Sequence, residues 1–94
     1  MKLNSYIIHD KQANSYNQPM FLANDAVAIR QIRNELMNPN SQISLSPEDF
    51  TIYSNGAYFT DSGEFHPYFD DMDEVTLKEI IKVSEIELPT QEVK

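Results

Sequence analysis

Four acidic residues lie within five positions of one another and are candidate ligands for a metal ion: Asp70, Asp71, Asp73 and Glu74. Hard cations such as calcium prefer carboxylate oxygens, but a calcium loop needs ligands at alternate residues and a central glycine, which this cluster lacks. We therefore predict no metal site and interpret the cluster as the solvated start of a helix. The same four residues form a candidate acidic surface for a basic partner.

Two arginines, Arg30 and Arg33, lie three residues apart in a segment with helical periodicity, so their side chains should share one flank of the helix. Guanidinium groups bind phosphate or carboxylate groups bidentately, which makes the pair a candidate contact for nucleic acid or for a partner protein. The alternative is pairing within the chain, with Glu35, Glu48 or Asp49 or with the acidic C-terminal segment.

Aromatic residues supply a second candidate contact, since the chain has five tyrosines and five phenylalanines. Tyr53 and Tyr58, with Phe59, fall in a predicted strand and could stack on unpaired bases beside the arginine pair. The alternative is that they form ordinary core or cross-strand pairs. We therefore predict Tyr53 and Tyr58 as candidate contacts for nucleic acid or a partner.

Catalysis is not expected from the remaining polar residues. His9 and His66 are the two histidines, and neither has the spacing to other ligand types that metal sites use. The serines lie outside any Gly-x-Ser-x-Gly turn, and two glycines are too few for a phosphate-cradling loop. We predict a protein that is not an enzyme, with no catalytic residue and no cofactor.

Composition places the chain among small acidic proteins, with 94 residues and a net charge of −8. Residues 1–60 carry about −1 and residues 61–94 about −7, so the C-terminal third should repel DNA. The absence of cysteine and of a long apolar run predicts a soluble cytoplasmic protein without a membrane contact. A domain this small has a thin core, which favours a homodimer.

The first half of the chain predicts a hairpin followed by a helix. Residues 3–8 have the alternation of a strand, residues 10–15 are turn-forming, and residues 16–22 should return antiparallel, interrupted at Pro19. A helix is predicted over residues 25–37, capped by Asn24. Its buried stripe consists of Ala28, Ile29, Ile32 and Leu36, and Pro39 ends it.

The second half predicts a connection over residues 43–46, a helical turn capped by Ser46, and then strands. Asn55-Gly56 could form a two-residue hairpin; we favour a continuous strand to Phe59, with the turn at Asp61-Ser62-Gly63. A second helix should follow the acidic cluster and stop at Pro89. Its predicted apolar face contains Leu77, Ile80, Ile81, Ser84 and Leu88.

These elements predict one α+β domain over residues 1–89, with a flexible tail at residues 90–94. The element order is β-β-α-β-β-α. It implies an antiparallel sheet of about four strands with both helices packed on one face.

Two sequence blocks carry a resemblance to a known family. They are Asn-Asp-Ala-Val-Ala-Ile-Arg at residues 24–30 and Ser-Pro-Glu-Asp-Phe at residues 46–50. An Asp-Lys turn at residues 10–11 and a segment bounded by two glycines at residues 56–63 add to the resemblance. Over roughly residues 1–65 the chain resembles the small non-structural protein of the gokushoviruses, Microviridae that are single-stranded-DNA phages. Arg30 belongs to the family motif, whereas Arg33 is its neighbour outside the motif.

The resemblance implies a protein that acts in the host cytoplasm and is not part of the virion. It implies a role at the stage of infection when duplex replication is replaced by synthesis of single-stranded genomes. A DNA-binding function is proposed for the family. We therefore expect a phage accessory protein that contacts single-stranded DNA or phage and host replication proteins. The alternative is an acidic protein-interaction module, a homo-oligomer or a mimic of DNA, that binds a phage or host protein.

Overall fold

Two long antiparallel strands form the centre of the computed structural model, which describes residues 1–88. Strand β1 (Lys2–Asp10) pairs along its length with β4 (Phe50–Phe59), because both segments are rich in the β-branched and aromatic residues that favour strands. The pairing shifts by one residue between Ser5 and Tyr6, where β4 carries an extra residue at Asn55.

Each central strand is bordered by two short strands. On the outer edge of β1 lie β2 (Ser15–Tyr16) and β3 (Met20–Leu22), and on the outer edge of β4 lie β5 (Glu64–Phe69) and β7 (Lys78–Lys82). A further short strand, β6 (Val75–Thr76), pairs with the end of β5. All of these pairings are antiparallel.

Helices cover one face of this sheet. The Oδ1 atom of Asn24 accepts the backbone N–H of Val27 at 3.0 Å and so caps the main helix. The helical elements of residues 1–88 are α1 (Asp25–Leu36), α2 (Gln42–Leu45), and 3₁₀ turns at Pro47–Asp49 and Val83–Glu85.

The hydrophobic core lies between this face of the sheet and α1. Alternate residues of β1 point into it, because successive side chains of a strand point to opposite faces. Its buried members are Tyr6, Ile8, Ala28, Ile32, Ile52, Val83 and Ile86. The last two come from the C-terminal segment, which therefore closes the core on the side of β7.

Several predictions from the sequence are confirmed. The first hairpin returns on β1 and is interrupted between β2 and β3, where Pro19 lies. The predicted helix is present with its Asn24 cap. The chain runs continuously through Asn55 and Gly56 as β4, and Gly63 adopts a left-handed φ of +76° in the turn that follows.

The predicted second helix is wrong. Residues after the acidic cluster form β6, β7 and a 3₁₀ turn, so the element order and strand number also differ from β-β-α-β-β-α with about four strands. The reason is that the outer edge of β4 is open opposite residues 51–54, and β7 pairs there, with Ile81 opposite Ile52. Pro89 and the predicted tail at residues 90–94 lie outside the described residues.

Two smaller differences concern the link between α1 and β4. The helical turn at Pro47–Asp49 is present, but the Ser46 side chain makes no capping hydrogen bond. The predicted connection instead contains α2, whose cap is Ser41: its Oγ accepts the backbone N–H groups of Ile43 and Ser44 at 3.1 and 3.4 Å.

Tyr6 makes domain stability sensitive to alkaline pH. Burial raises the pKa of Tyr6 to about 12, helped by the hydrogen bond that its hydroxyl donates to Oδ1 of Asp25 at 2.6 Å. An unfolded tyrosine ionises near pH 10, so its contribution is complete below pH 10 and is lost as the pH rises to about 12. We expect the free energy of unfolding to fall by up to about 1.4 kcal/mol per pH unit there.

Urea denaturation of the wild type and of Tyr6→Phe between pH 8 and pH 11.5 measures this contribution. The other tyrosines titrate in both proteins, so the difference between the two curves isolates Tyr6. A pH dependence above pH 10 that is identical in the two proteins would show that Tyr6 ionises normally.

Candidate nucleic-acid interface

The face of the sheet turned away from α1 is not covered by a helix within residues 1–88, and we call it the open face. Odd-numbered residues of β1 point to it, since the even-numbered Tyr6 and Ile8 point into the core. Residues directly opposite on neighbouring strands share the same face. The register therefore places six aromatic side chains here: His9, Tyr16, Phe21, Tyr53, Tyr58 and Phe65.

The rings on the open face form two neighbouring groups. The ring of Tyr16 lies 4.8 Å from that of His9 and 6.2 Å from that of Tyr53, with the second pair edge to face. The rings of Phe21 and Tyr58 lie 5.2 Å apart and are tilted. Mutual contact restricts these rings without removing their outer surfaces from solvent.

Exposure decides what the open face can bind. Tyr16 is 50% exposed, Phe21 45% and Phe65 42%, while Tyr53 and Tyr58 are half-buried. Large aromatic rings with this much free surface can stack on unpaired bases or pack against another protein.

The charges that β7 brings to the open face cancel. Lys82 lies opposite Thr51 and Glu79 lies opposite Tyr53, so β7 contributes one charge of each sign. Burial raises the pKa of Tyr53, and the charge of Glu79 and the neighbouring Tyr16 raise it further. Tyr53 is therefore a neutral hydroxyl at physiological pH, able to donate a hydrogen bond to a ligand.

The arginine pair lies away from the open face. Both residues belong to α1, which packs on the opposite face of the sheet, so Arg30 and Arg33 do not lie beside Tyr53 and Tyr58 as the sequence suggested. The Nε of Arg33 donates to the backbone oxygen of Glu87 at 3.1 Å. Arg30 is exposed and makes no ion pair with any residue in the range 1–88.

The acidic cluster forms the turn between β5 and β6 instead of a helix start. Oδ1 of Asp70 accepts the backbone N–H groups of Met72 and Glu74 at 2.9 and 3.0 Å, and Asp73 has a left-handed φ of +58°. All four carboxylates are exposed. Within the described residues, no three histidine or acidic side chains come close enough to hold a metal ion.

The sequence pattern indicated Tyr53 and Tyr58 but not Tyr16 and Phe21, which are the more exposed members of the open face. The signal that could have found them is the register of the first hairpin. Once the turn at residues 10–15 is fixed, Tyr16 must lie opposite His9, and Phe21 lies further along β1 opposite Ser5.

The geometry defines a small α+β domain that exposes an aromatic sheet face. The family model described as "Phage ORF5 protein" matches residues 3–83, and the chain therefore belongs to this family of phage proteins. The match confirms a resemblance to a phage family and extends beyond residue 65 to the end of β7. No curated protein and no solved structure matches the chain. Among residues 1–88, no helix is long and apolar enough to span a bilayer.

Proposed function

We propose that this protein is the small non-structural protein of a gokushovirus, and that it assists viral single-stranded DNA synthesis in the host cytoplasm. In this proposal it acts without catalysis, by binding single-stranded DNA on its open face. The observation that carries the proposal is the set of partly exposed aromatic rings on the open face. Membership of a phage protein family supports the viral context.

Stacking gives the open face a preference for single strands. Every base has a flat π surface, so an aromatic ring can bind it with little regard to sequence. In a duplex these surfaces are already stacked on neighbouring base pairs. The two groups of rings, one around Tyr16 and Tyr53 and one around Phe21 and Tyr58, could each receive a base from the same strand.

The charge distribution limits the electrostatic part of binding. Phosphate contacts require cations, and β7 brings Lys82 to the open face together with Glu79. For single strands each neutralised phosphate contributes about −0.7 to the slope of log affinity against log salt concentration. We therefore expect a slope shallower than about −2 if the open face binds DNA, and a steeper one if Arg30 and Arg33 contribute.

Fluorescence anisotropy of a labelled 20-nucleotide single strand, titrated with the protein at 50 and 200 mM salt, tests the proposal. We expect micromolar binding at low salt, at least tenfold weaker binding to the matching duplex, and little change in Arg30→Ala/Arg33→Ala. A large loss in that double variant would move the contact to α1. Equal affinity for the duplex, or no binding at low salt, would contradict the proposal.

A second candidate function is an acidic protein-interaction module, including a homodimer, that binds a phage or host replication protein. The observation that favours it is the acidic turn between β5 and β6, where Phe69, Met72 and Val75 are 59%, 80% and 64% exposed. Exposed apolar side chains beside carboxylates are suited to a basic protein surface. Absence of DNA binding in the titration above would favour this function.

A further inference from the structure

A groove runs along the border between the first hairpin and the helices α1 and α2. It consists of three adjoining pockets of about 400, 240 and 460 Å³, and the first and third share Ile8, Asn17, Glu35 and Ile43. Volumes of this size are in the range of pockets that bind small ligands or single side chains of a partner. The groove is separate from the rings of Phe21 and Tyr58 and touches the open face at Tyr16 alone.

The lining of the groove is apolar at its base and acidic at its rim. Ile8, Ile43 and Phe50 supply the apolar surface, and the carboxylates come from β1, α1 and the 3₁₀ turn before β4: Asp10, Glu35 and Asp49. Among the described residues that line the three pockets, none is a lysine or an arginine. Such a groove repels phosphate and attracts a cation.

Several polar groups in the groove are available to a ligand, although Oδ1 of Asp10 already accepts two backbone N–H groups of the turn after β1, which leaves its Oδ2. Oδ1 of Asn17 accepts the N–H of Ile8 at 2.6 Å, and the backbone N–H of Asn17 donates to the oxygen of Ile8 at 3.1 Å. Both hydrogen bonds hold Asn17 against the backbone of β1, and its Nδ2 can still donate a hydrogen bond to a ligand. Within residues 1–88 the side chains of Glu35 and Gln42 have no hydrogen-bond partner.

We propose that this groove binds an extended segment of a partner protein and seats one arginine side chain of that segment between Asp10 and Glu35. Carboxylates recognise a guanidinium through charge-assisted hydrogen bonds. The apolar base accepts its aliphatic stem. Nδ2 of Asn17 can donate to a backbone carbonyl of the peptide, and the amide of Gln42 can both donate and accept. This inference does not depend on DNA binding by the open face.

The test uses a defined probe, the peptide acetyl-Ser-Val-Arg-Val-Ser-amide, and its analogue with neutral citrulline in place of arginine. Titration of the ¹⁵N-labelled full chain, followed by two-dimensional NMR, reports the side-chain NH₂ signals of Asn17 and Gln42 directly. We expect both signals to shift with millimolar or tighter affinity for the arginine peptide. The citrulline peptide should bind at least about fivefold more weakly, as for loss of one charged contact.

Two variants with the same change of charge make the result specific. Glu35→Gln should reduce the preference for arginine, because it removes one of the two carboxylates that hold the guanidinium. Asp71→Asn, in the acidic turn between β5 and β6, should retain the preference. Equal binding of the two peptides, no shift at Asn17 and Gln42, or an unaltered preference in Glu35→Gln would overturn the inference. Shifts of these signals with a single-stranded oligonucleotide but not with the peptide would also overturn it.

Discussion

Replacement of Gly56 by alanine is expected to destabilise the domain strongly. Gly56 has a φ of +154°, and a Cβ atom there would lie 2.5 Å from the backbone oxygen of His66, 2.9 Å from Cα of Pro67 and 2.7 Å from Cζ of Phe65. Two of these three atoms belong to the backbone of β5, so relief requires that β4 and β5 separate.

The expected cost combines overpacking with backbone strain and is about 3–5 kcal/mol. A domain of this size has a total stability of roughly 5–10 kcal/mol, so the variant would lose at least about a third of it. Thermal denaturation followed by circular dichroism should show a midpoint lowered by about 15 °C or more.

Gly63→Ala is the matched control, since Gly63 also has a positive φ, of +76°, but a Cβ there would meet no atom within 4 Å. We expect this variant to lose only the strain term, about 1 kcal/mol. If the two variants lost the same stability, the close approach of β5 to Gly56 would not be important for folding.

The double variant Tyr16→Leu/Tyr53→Leu is expected to weaken binding of single-stranded DNA by about 10- to 100-fold. Stacking of a base on an aromatic ring contributes about 1–3 kcal/mol, and leucine retains apolar volume without a flat π surface. The rings of Tyr16 and Tyr53 lie 6.2 Å apart, so one substitution alone would leave its neighbour able to accept the base.

Anisotropy titration at 50 mM salt measures this effect, and Tyr16→Phe/Tyr53→Phe is the matched control. The phenylalanine pair keeps both rings, and we expect its affinity to stay within about threefold of the wild type. A similar loss in both double variants would assign the contact to the hydroxyl groups. Full affinity in the leucine pair would show that DNA does not bind at this part of the open face.

The first half of the fold could be predicted because its signals are local. Asn24 caps α1 through a contact three residues away, and Pro39 lies just beyond the helix end. The interruption at Pro19 follows from the missing backbone donor of proline. The continuous course of β4 and the turn at Gly63 likewise follow from the conformational freedom of glycine.

The C-terminal third could not be predicted, because its conformation depends on a distant partner. Ile80 and Ile81 fit a helical stripe in the sequence, yet both are β-branched and are equally suited to a strand. The choice is made by the free edge of β4, where Ile81 pairs with Ile52, and by the core, which buries Val83. Periodicity within residues 74–88 contains no information about that edge.

The candidate site could be predicted only in part, because it too depends on pairing between strands that are distant in the sequence. Tyr53 and Tyr58 could be assigned to a sheet from local composition, but the face to which each points depends on pairing with β1. The extra residue at Asn55 changes the alternation between them, so that two tyrosines five positions apart share one face. Their separation from Arg30 and Arg33 follows from the packing of α1 on the other face.

The pairing of β1 with β4 has a consequence for how quickly the protein becomes functional. Asp10 pairs with Phe50 and Lys2 with Phe59, so the partners are about 40 to 57 residues apart in the chain. A chain must pay the entropy of closing such a loop before these contacts form, and folding should take milliseconds to seconds. During synthesis β1 therefore leaves the ribosome well before its partner, and the first hairpin and α1 must wait for β4 to complete the sheet.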